Sequence, residues 1–325
     1  MKLRRAGCLI LIVAALAVGV ISLTVLSGWS GAGPAKSDTE VVVPEGSSLR
    51  GAAKVLEEAG VIRSSDTFLA LAKLLGGSAP IKAGTYVIPK GASGAEILEL
   101  LQGGKVMVRL VTIPEGMPSI LVHERLMAQE DLTGDVPVPA EGSVLPDSYA
   151  YDKGESRAAV LKRMQDAMAK VLDELWKERS PQTVVKSPRE AVILASIVEK
   201  ETGVPAERPT VAGVYSNRLR TGMMLQADPT IIYPITKGKP LGRRIRRSEI
   251  AAVNDYNTYA MTGLPKGPIA NPGRLSILAV LQPAQTRALY FVADGKGGHI
   301  FADTLEQHNA NVKRWYAIRR ERGEL

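Results

Sequence analysis

Twenty consecutive residues without a charge, Gly7 to Leu26 (GCLILIVAALAVGVISLTVL), constrain this chain before anything else does. An α-helix of that length spans the hydrocarbon core of a bilayer while satisfying its own backbone hydrogen bonds. Lys2, Arg4 and Arg5 precede it, and a cationic flank stays in the cytoplasm, so everything after Leu26 is expected outside. A cleaved signal peptide is the alternative. The apolar run exceeds the usual length of such a segment and no clear A-x-A site follows, which favours an uncleaved single-pass anchor in the cell (inner) membrane with an extracytoplasmic C-terminal part.

Composition narrows the remainder. The 325 residues are 45% hydrophobic and 23% charged, which is ordinary for a packed globular chain of about two domains. Setting aside the three cations before the anchor, 38 basic residues face 33 acidic ones. That mild excess suits an anionic wall or lipid surface. With aromatics at 5% and a single short basic cluster, Arg243-Arg244-Ile245-Arg246-Arg247, nucleic acid is not an expected partner and the cluster reads as a solvated loop. Cys8 is the sole cysteine, so no internal disulfide and no cysteine metal site can form, and with no apolar stretch before it Cys8 is not a lipoprotein signal either.

Residues 27–39 (SGWSGAGPAKSDT) are rich in Gly, Ser and Ala and predict a flexible linker. From Glu40 the pattern becomes strand, helix, helix, strand and helix: Val41 to Val43, a helix capped by Ser47 and ending at Gly60, a second helix over Ser65 to Leu75, a strand within Lys82 to Pro89, and a helix capped by Ser93. Residues 40–105 therefore form a small α/β unit. The segments VPEGSSL and IKAGTYVIPKGAS resemble a LysM-like module, a class that binds N-acetylglucosamine-containing glycans; a structural spacer is the other reading. Residues 106–325 predict a mixed α+β domain. It opens on a strand, Val106 to Ile113, continues through PEGMPS and an amphipathic helix, and passes PDSY (146–149) into helices over Arg157 to Arg179, Ser187 to Thr202 and Arg208 to Arg220. It closes with a strand at Leu289 to Ala293, the loop DGKGGH and a helix from about Thr304.

The helix SPREAVILASIVEKETGVP carries the most chemical information. Ser187 and Glu190 read as a capping box, Pro188 takes the first helical position, and Gly203 with Pro205 stops it. On a 100° wheel Ser196 and Lys200 make a narrow polar stripe, whereas Glu199 and Glu201 both fall in the apolar arc. Burial raises a carboxyl pKa, and the negative helix end adds to this in the last turn, where Glu201 sits. A carboxylic acid kept neutral near pH 7 can protonate the leaving oxygen of a glycosidic bond. The competing reading pairs one or both glutamates with an arginine such as Arg208 or Arg218. Periodicity does not choose between Glu199 and Glu201.

ILASIVEKET, NRLRTGMMLQADPTIIY, YNTYAMTGLPKGPIANPG and YFVADGKGGHIFADTLEQHN, in that order and with PDSY upstream, resemble the endolytic murein transglycosylases, the MltG or YceG-like family, over roughly residues 40 to 315. The resemblance implies a cytoplasmic tail (1–6), a membrane helix (7–26), the linker, a LysM-like subdomain (40–105) and a catalytic domain (106–325) acting on peptidoglycan glycan strands, with peptidoglycan synthases as further partners and no cofactor. It implies lysis of the N-acetylmuramic acid β-1,4-N-acetylglucosamine bond by the muramyl 6-hydroxyl, leaving a 1,6-anhydro end. The catalytic glutamate it implies is the second in VEKE, Glu201.

Gln226, Asp228, Tyr233, Tyr256, Asn257 and Tyr259 are candidate sugar contacts, since amides, carboxylates and aromatic faces suit pyranoses; for Asp228 before Pro229, turn capping is an equal reading. His299 and His308 are expected to shape the GGHIF loop and not to hold a metal. The chain departs from the family at Ser143 and Val144, where bulkier residues are usual, and at Lys266, where proline is common, which leaves the shape of the subsites open. Two rivals stand beside the transglycosylase reading: a non-catalytic wall-binding scaffold, and a lysozyme-type hydrolase using Glu201 with Asp228 or Glu199.

Overall fold

The computed structural model describes residues 27–104 and 106–324; the expected membrane segment 7–26 lies outside them. Among the described residues no helix is long and apolar enough to cross a membrane. The chain divides into two compact units, one ending at Arg109 and one spanning Leu110–Leu325. Small two-stranded sheets and many helices make the fold mixed α+β.

In the first unit β1 (Thr39–Val43) pairs antiparallel with β2 (Gly84–Ile88), Thr39 opposite Ile88 and Val43 opposite Gly84. Between them lie α1 (Leu49–Glu58) and α2 (Ser65–Leu75), and α3 (Gly94–Gly103) follows. Their apolar faces meet in one core that includes Val41, Leu56, Phe68, Tyr86, Ile88 and Ile97. The helix starts follow hydroxyl caps. Ser48, one residue later than the sequence indicates, caps α1, and Ser93 with Glu96 forms a full capping box on α3. Residues 27–39 depart from the linker reading. Trp29 is 6% exposed, packs on Phe68 at 5.8 Å and lies against Gly94, while Gly33 N–H donates to the Gly91 carbonyl at 3.0 Å. One large aromatic supplies enough apolar burial to dock a segment whose average composition reads as flexible.

The second unit begins with β3 (Arg109–Thr112), which pairs with β4 (Ser148–Tyr151). Together with α4 (Ser119–Met127) and the first turns of α5 (Arg157–Lys177) it encloses a core of Val111, Ile113, Val122, Leu126, Val144, Val160 and Met164. Val144, where a bulkier residue is usual, thus fills this core and does not face a ligand.

The larger core is built on α6 (Pro188–Glu201). α7 (Arg208–Arg220) and α10 (Arg274–Leu281) pack against α6 and each other; α8 (Asp228–Thr236) joins at its end, and α9 (Arg247–Ile250) is a single turn. Gly213 permits the close approach of α7 to the segment after α10, for a β-carbon there would sit 2.6 Å from the Ala284 carbonyl oxygen. The chain ends with an antiparallel hairpin, β5 (Tyr290–Ala293) and β6 (His299–Ala302), and with α11 (Leu305–Glu321), capped by Thr304.

Two local expectations for α6 change. Ser187 Oγ accepts from Glu190 N–H at 3.2 Å, but the Glu190 carboxylate accepts from Lys186 N–H at 2.6 Å and not from Ser187, so only half of the capping box forms. Ser196 is not on a solvated stripe. It is fully buried, donating to the Ile193 carbonyl at 2.7 Å and accepting from Ile269 N–H at 3.0 Å. The 268–271 segment covers the side that a surface helix would leave to water, so Ala191 through Val198 are buried all round.

Because Leu194 has no exposed surface and lies at the centre of this core, Leu194→Ala is expected to cost about 2–5 kcal/mol, whereas truncating the half-exposed Leu275 to Ala costs less than about 1 kcal/mol. Denaturant melts of the two variants against the parent measure both.

Candidate active site

The two glutamates at the end of α6 have different surroundings. Glu199 is almost wholly buried: Oε1 accepts from Arg208 Nη2 at 3.0 Å and Oε2 from Gly273 N–H at 2.9 Å. The same Arg208 nitrogen also donates to Glu115 Oε2 at 2.7 Å. Glu199 therefore joins α6 to the first residue of α7 and to the residue that caps α10. A β-carbon on Gly273 would lie 2.1 Å from a Glu115 carboxylate oxygen, so a larger residue there would displace the Glu115 side chain from Arg208.

Glu201, two residues on, has no ion pair. The residue is partly exposed, but Oε1 is sealed from solvent and has no hydrogen-bond partner. Burial first, and the negative charge of Asp228 second, push its pKa from 4.5 up to about 7, against a hydrogen bond from Tyr215 and the positive charge of Arg218. A carboxyl held neutral to this pH is the kind that acid catalysis needs, whereas Glu199 is tied to Arg208 and to the Gly273 N–H.

Side chains from three further segments converge on Glu201. Tyr215 and Arg218, one turn apart on α7, share a face. The Tyr215 hydroxyl, buried and facing the Glu201 carboxyl, titrates well above the usual phenol range. Arg218 is held by the carbonyls of Leu289 (2.7 Å) and Leu225 (2.9 Å) and lies 5.3 Å over the Tyr290 ring. Its guanidinium also reaches Gln226 Oε1 at 3.4 Å. Gln226 adopts a left-handed backbone at φ 55, a conformation that costs a non-glycine residue energy and recurs at functional sites. Asp228, in the first turn of α8, accepts from the Tyr259 hydroxyl at 2.6 Å; burial and this carboxylate raise the Tyr259 phenol. On the far side of Arg218, His308 stacks on Tyr290 at 5.2 Å, its Nδ1 buried without a partner. Burial and Arg218 keep that imidazole neutral at lower pH than usual.

Of the residues marked from sequence, Gln226, Asp228 and Tyr259 thus gather with Glu201, and three do not. Asn257 is fully buried, its side-chain amide donating to the carbonyls of Ile250 (2.9 Å) and Ala252 (2.7 Å) and its Oδ1 accepting from Tyr259 N–H at 3.0 Å. With its hydrogen-bonding capacity spent on its own loop, it holds Tyr259 in place and contacts no sugar. Tyr233 and Tyr256 pack on each other at 4.9 Å within the core, and Tyr233 hydrogen-bonds Glu141, a carboxyl raised by burial. Tyr215 and Tyr290 escaped the sequence reading, which named Arg218 only as a possible ion-pair partner of the α6 glutamates. The three-residue spacing of Tyr215 and Arg218 on a helix was the available signal; nothing local marks Tyr290. His299 shapes its loop as expected, with Nδ1 2.8 Å from Glu207 Oε2 and its N–H 2.8 Å from Oε1. A cleft of about 480 Å³ is lined by Lys200, Pro229 and the 114–118 segment, and none of the side chains gathered around Glu201 lines it.

Comparison with known proteins bears on what such a cluster does. The model of the YceG-like family matches residues 41–314. A protein of Bacillus subtilis (strain 168) named endolytic murein transglycosylase is 29% identical over 320 residues, which cover 88% of this chain and 87% of that one. A protein of Streptococcus pneumoniae serotype 2 with the same name is 28% identical, over 85% of this chain and 58% of its own length. Among solved structures, a yceG-like protein from Listeria monocytogenes matches at 28% identity with a TM-score of 0.51, over 85% of this chain and 99% of that one.

The raised pKa of Glu201 has a consequence for stability. The folded chain binds this proton more tightly than the unfolded chain, so the stability it contributes is full below about pH 4.5 and is lost as pH rises through about 7. Glu201→Gln removes this dependence. The variant is expected to gain on the parent between these two pH values, by up to about 3 kcal/mol, and the gap then stays level at higher pH. Paired thermal melts across that interval check this; parallel curves would place the carboxyl in water.

Proposed function

The chain belongs to the YceG-like family, and from that membership together with the surroundings of Glu201 we propose that it is an endolytic lytic transglycosylase of peptidoglycan, with Glu201 as its single acid and base. The observation that carries this reading is the Glu201 carboxyl, which has no ion pair, an Oε1 sealed without a partner and a pKa of about 7, next to a Glu199 engaged elsewhere. The relatives named endolytic murein transglycosylase support the substrate class.

In the proposed reaction neutral Glu201 protonates the glycosidic oxygen between N-acetylmuramic acid and N-acetylglucosamine as the bond to C1 breaks. Arg218, whose charge favours the ionised carboxyl, stabilises the carboxylate left behind. That carboxylate then takes the proton of the muramyl 6-hydroxyl while its oxygen closes on C1, giving the 1,6-anhydro end. Proton count balances on one residue and no water enters. Asp228 keeps Glu201 protonated in the resting site and, tied to Tyr259, stays in place while doing so. A second reading, hydrolysis with Asp228 as the other carboxylate, is favoured by that same proximity. It differs in product, since hydrolysis gives an end heavier by one water.

We place the enzyme at the outer face of the cell membrane, anchored by residues 7–26, where nascent strands emerge and their synthases work. The unit ending at Arg109 serves as a LysM-like glycan-holding module. The order of its elements, strand, two helices and strand, supports this assignment.

Glu201→Gln is expected to lower turnover roughly 10²- to 10⁴-fold with no loss of melting temperature. Glu199→Gln keeps measurable turnover but melts lower, because Arg208 loses a buried ionic partner. Mass spectra of digested peptidoglycan score both, and near-parental anhydro product from Glu201→Gln removes this residue from the mechanism. Deleting residues 40–105 is expected to weaken retention on insoluble peptidoglycan while some cleavage persists; unchanged retention makes the module a spacer.

A further inference from the structure

At the other end of α6 from Glu201, roughly 20 Å along the helix at 1.5 Å per residue, lies a second and larger cavity, about 900 Å³. Its floor is apolar, formed by Ile193, Leu219, Leu264 and Pro265, and four cations rim it: Lys186, Arg189, Arg220 and Lys266. One carboxylate, Glu190, joins them, and it is occupied by the Lys186 backbone N–H. Lys266 is ion-paired with the exposed Asp255 at 3.0 Å, whereas Arg189 and Arg220 donate to uncharged groups, the Lys266 carbonyl at 2.8 Å and Asn217 Oδ1 at 3.0 Å. Lys266 is also the position where this chain departs from the proline common in its family.

Resting on the proposed function, we propose that this cavity is a subsite for the peptide stems of the substrate, taking an acidic peptide with methyl side chains whose carboxylates meet the four-cation rim while its apolar groups lie on the Ile193–Leu264 floor. The sugars carry acetyl and lactyl methyl groups, but while the stems are attached each muramyl lactyl carboxyl is held in an amide, so the stems supply the free carboxylates. The glycan backbone of peptidoglycan carries stems that have both free carboxylates and alanyl methyl groups, and the separation along α6 places the cavity a few sugar residues away from the scissile bond. A remote contact of this kind binds and positions the strand without touching the reacting atoms. Exposed cations lose strength with added salt, so its contribution depends on ionic strength.

The test uses the purified full chain in detergent and two substrates, glycan strands bearing peptide stems and the same strands stripped of stems by an amidase, with the lactyl carboxyls thereby freed converted to methylamides. The parent is expected to show a kcat/KM about tenfold higher on stem-bearing strands, the sum that a few exposed charge pairs supply, and to lose that preference at high salt. The Lys186→Ala, Arg189→Ala, Lys266→Ala triple variant is expected to fall to the stripped-strand rate on both substrates, with its rate on stripped strands and its melting temperature unchanged; Lys266→Arg retains the preference. Equal rates of the parent on both substrates, or an equal loss of both activities in the triple variant, overturn the subsite while leaving the transglycosylase assignment intact. A parent that cleaves neither substrate overturns both.

Discussion

The Glu199 carboxylate organises the second unit of this protein. One oxygen holds Arg208 at the start of α7 and the other holds the backbone of Gly273 at the start of α10, so a single side chain sets three helices relative to each other. A charge this deep is tolerable only because a guanidinium and a backbone N–H replace the water it has lost. Lining up α6 with α7 also brings Tyr215 and Arg218 over the last turn of α6. The placement of Glu201 is thus a by-product of how Glu199 is satisfied.

The two carboxylates illustrate how a short stretch of one helix can hold opposite electrostatic environments. Glu199 meets a full positive charge and an aligned donor. Glu201 meets a wall of protein, a nearby carboxylate and only partial compensation from Tyr215 and Arg218, and its proton is accordingly held to about pH 7. A proton held that loosely can be given and retaken at physiological pH without a large driving force, and a one-residue acid–base mechanism depends on this. The surrounding groups are themselves fixed: Arg218 by carbonyls, Tyr259 by Asp228 and by the Asn257 loop. The site is therefore built before a ligand arrives, which limits the reorganisation that binding requires.

The two ends of α6 differ in the same way. Its C-terminal end faces a cluster of Tyr215, Arg218, Gln226, Asp228 and Tyr259, whereas its N-terminal end opens into a larger, cationic cavity with an apolar floor. The helix between them, buried from Ala191 to Val198, sets their spacing.

Much of this was legible in one dimension. Caps at Ser93, Ser187 and Thr304, the stop at Gly203, the limits of α7 and the existence of a neutral-leaning glutamate at the end of α6 all follow from propensity, hydroxyl capping and period, which depend on neighbours a few residues away. What tertiary structure alone decided is which partner each polar group found. Ser196 looked solvated until the 268–271 segment covered it, and Trp29 looked like part of a linker until it met Phe68. Asn257 looked like a sugar ligand until its own loop consumed its amide, and Glu199 was equal to Glu201 until Arg208 and Gly273 arrived from other helices. Period and capping report which way a side chain faces. Charge state and hydrogen-bond satisfaction depend on desolvation and on donors brought together from distant segments, and those come into being only when the chain has packed.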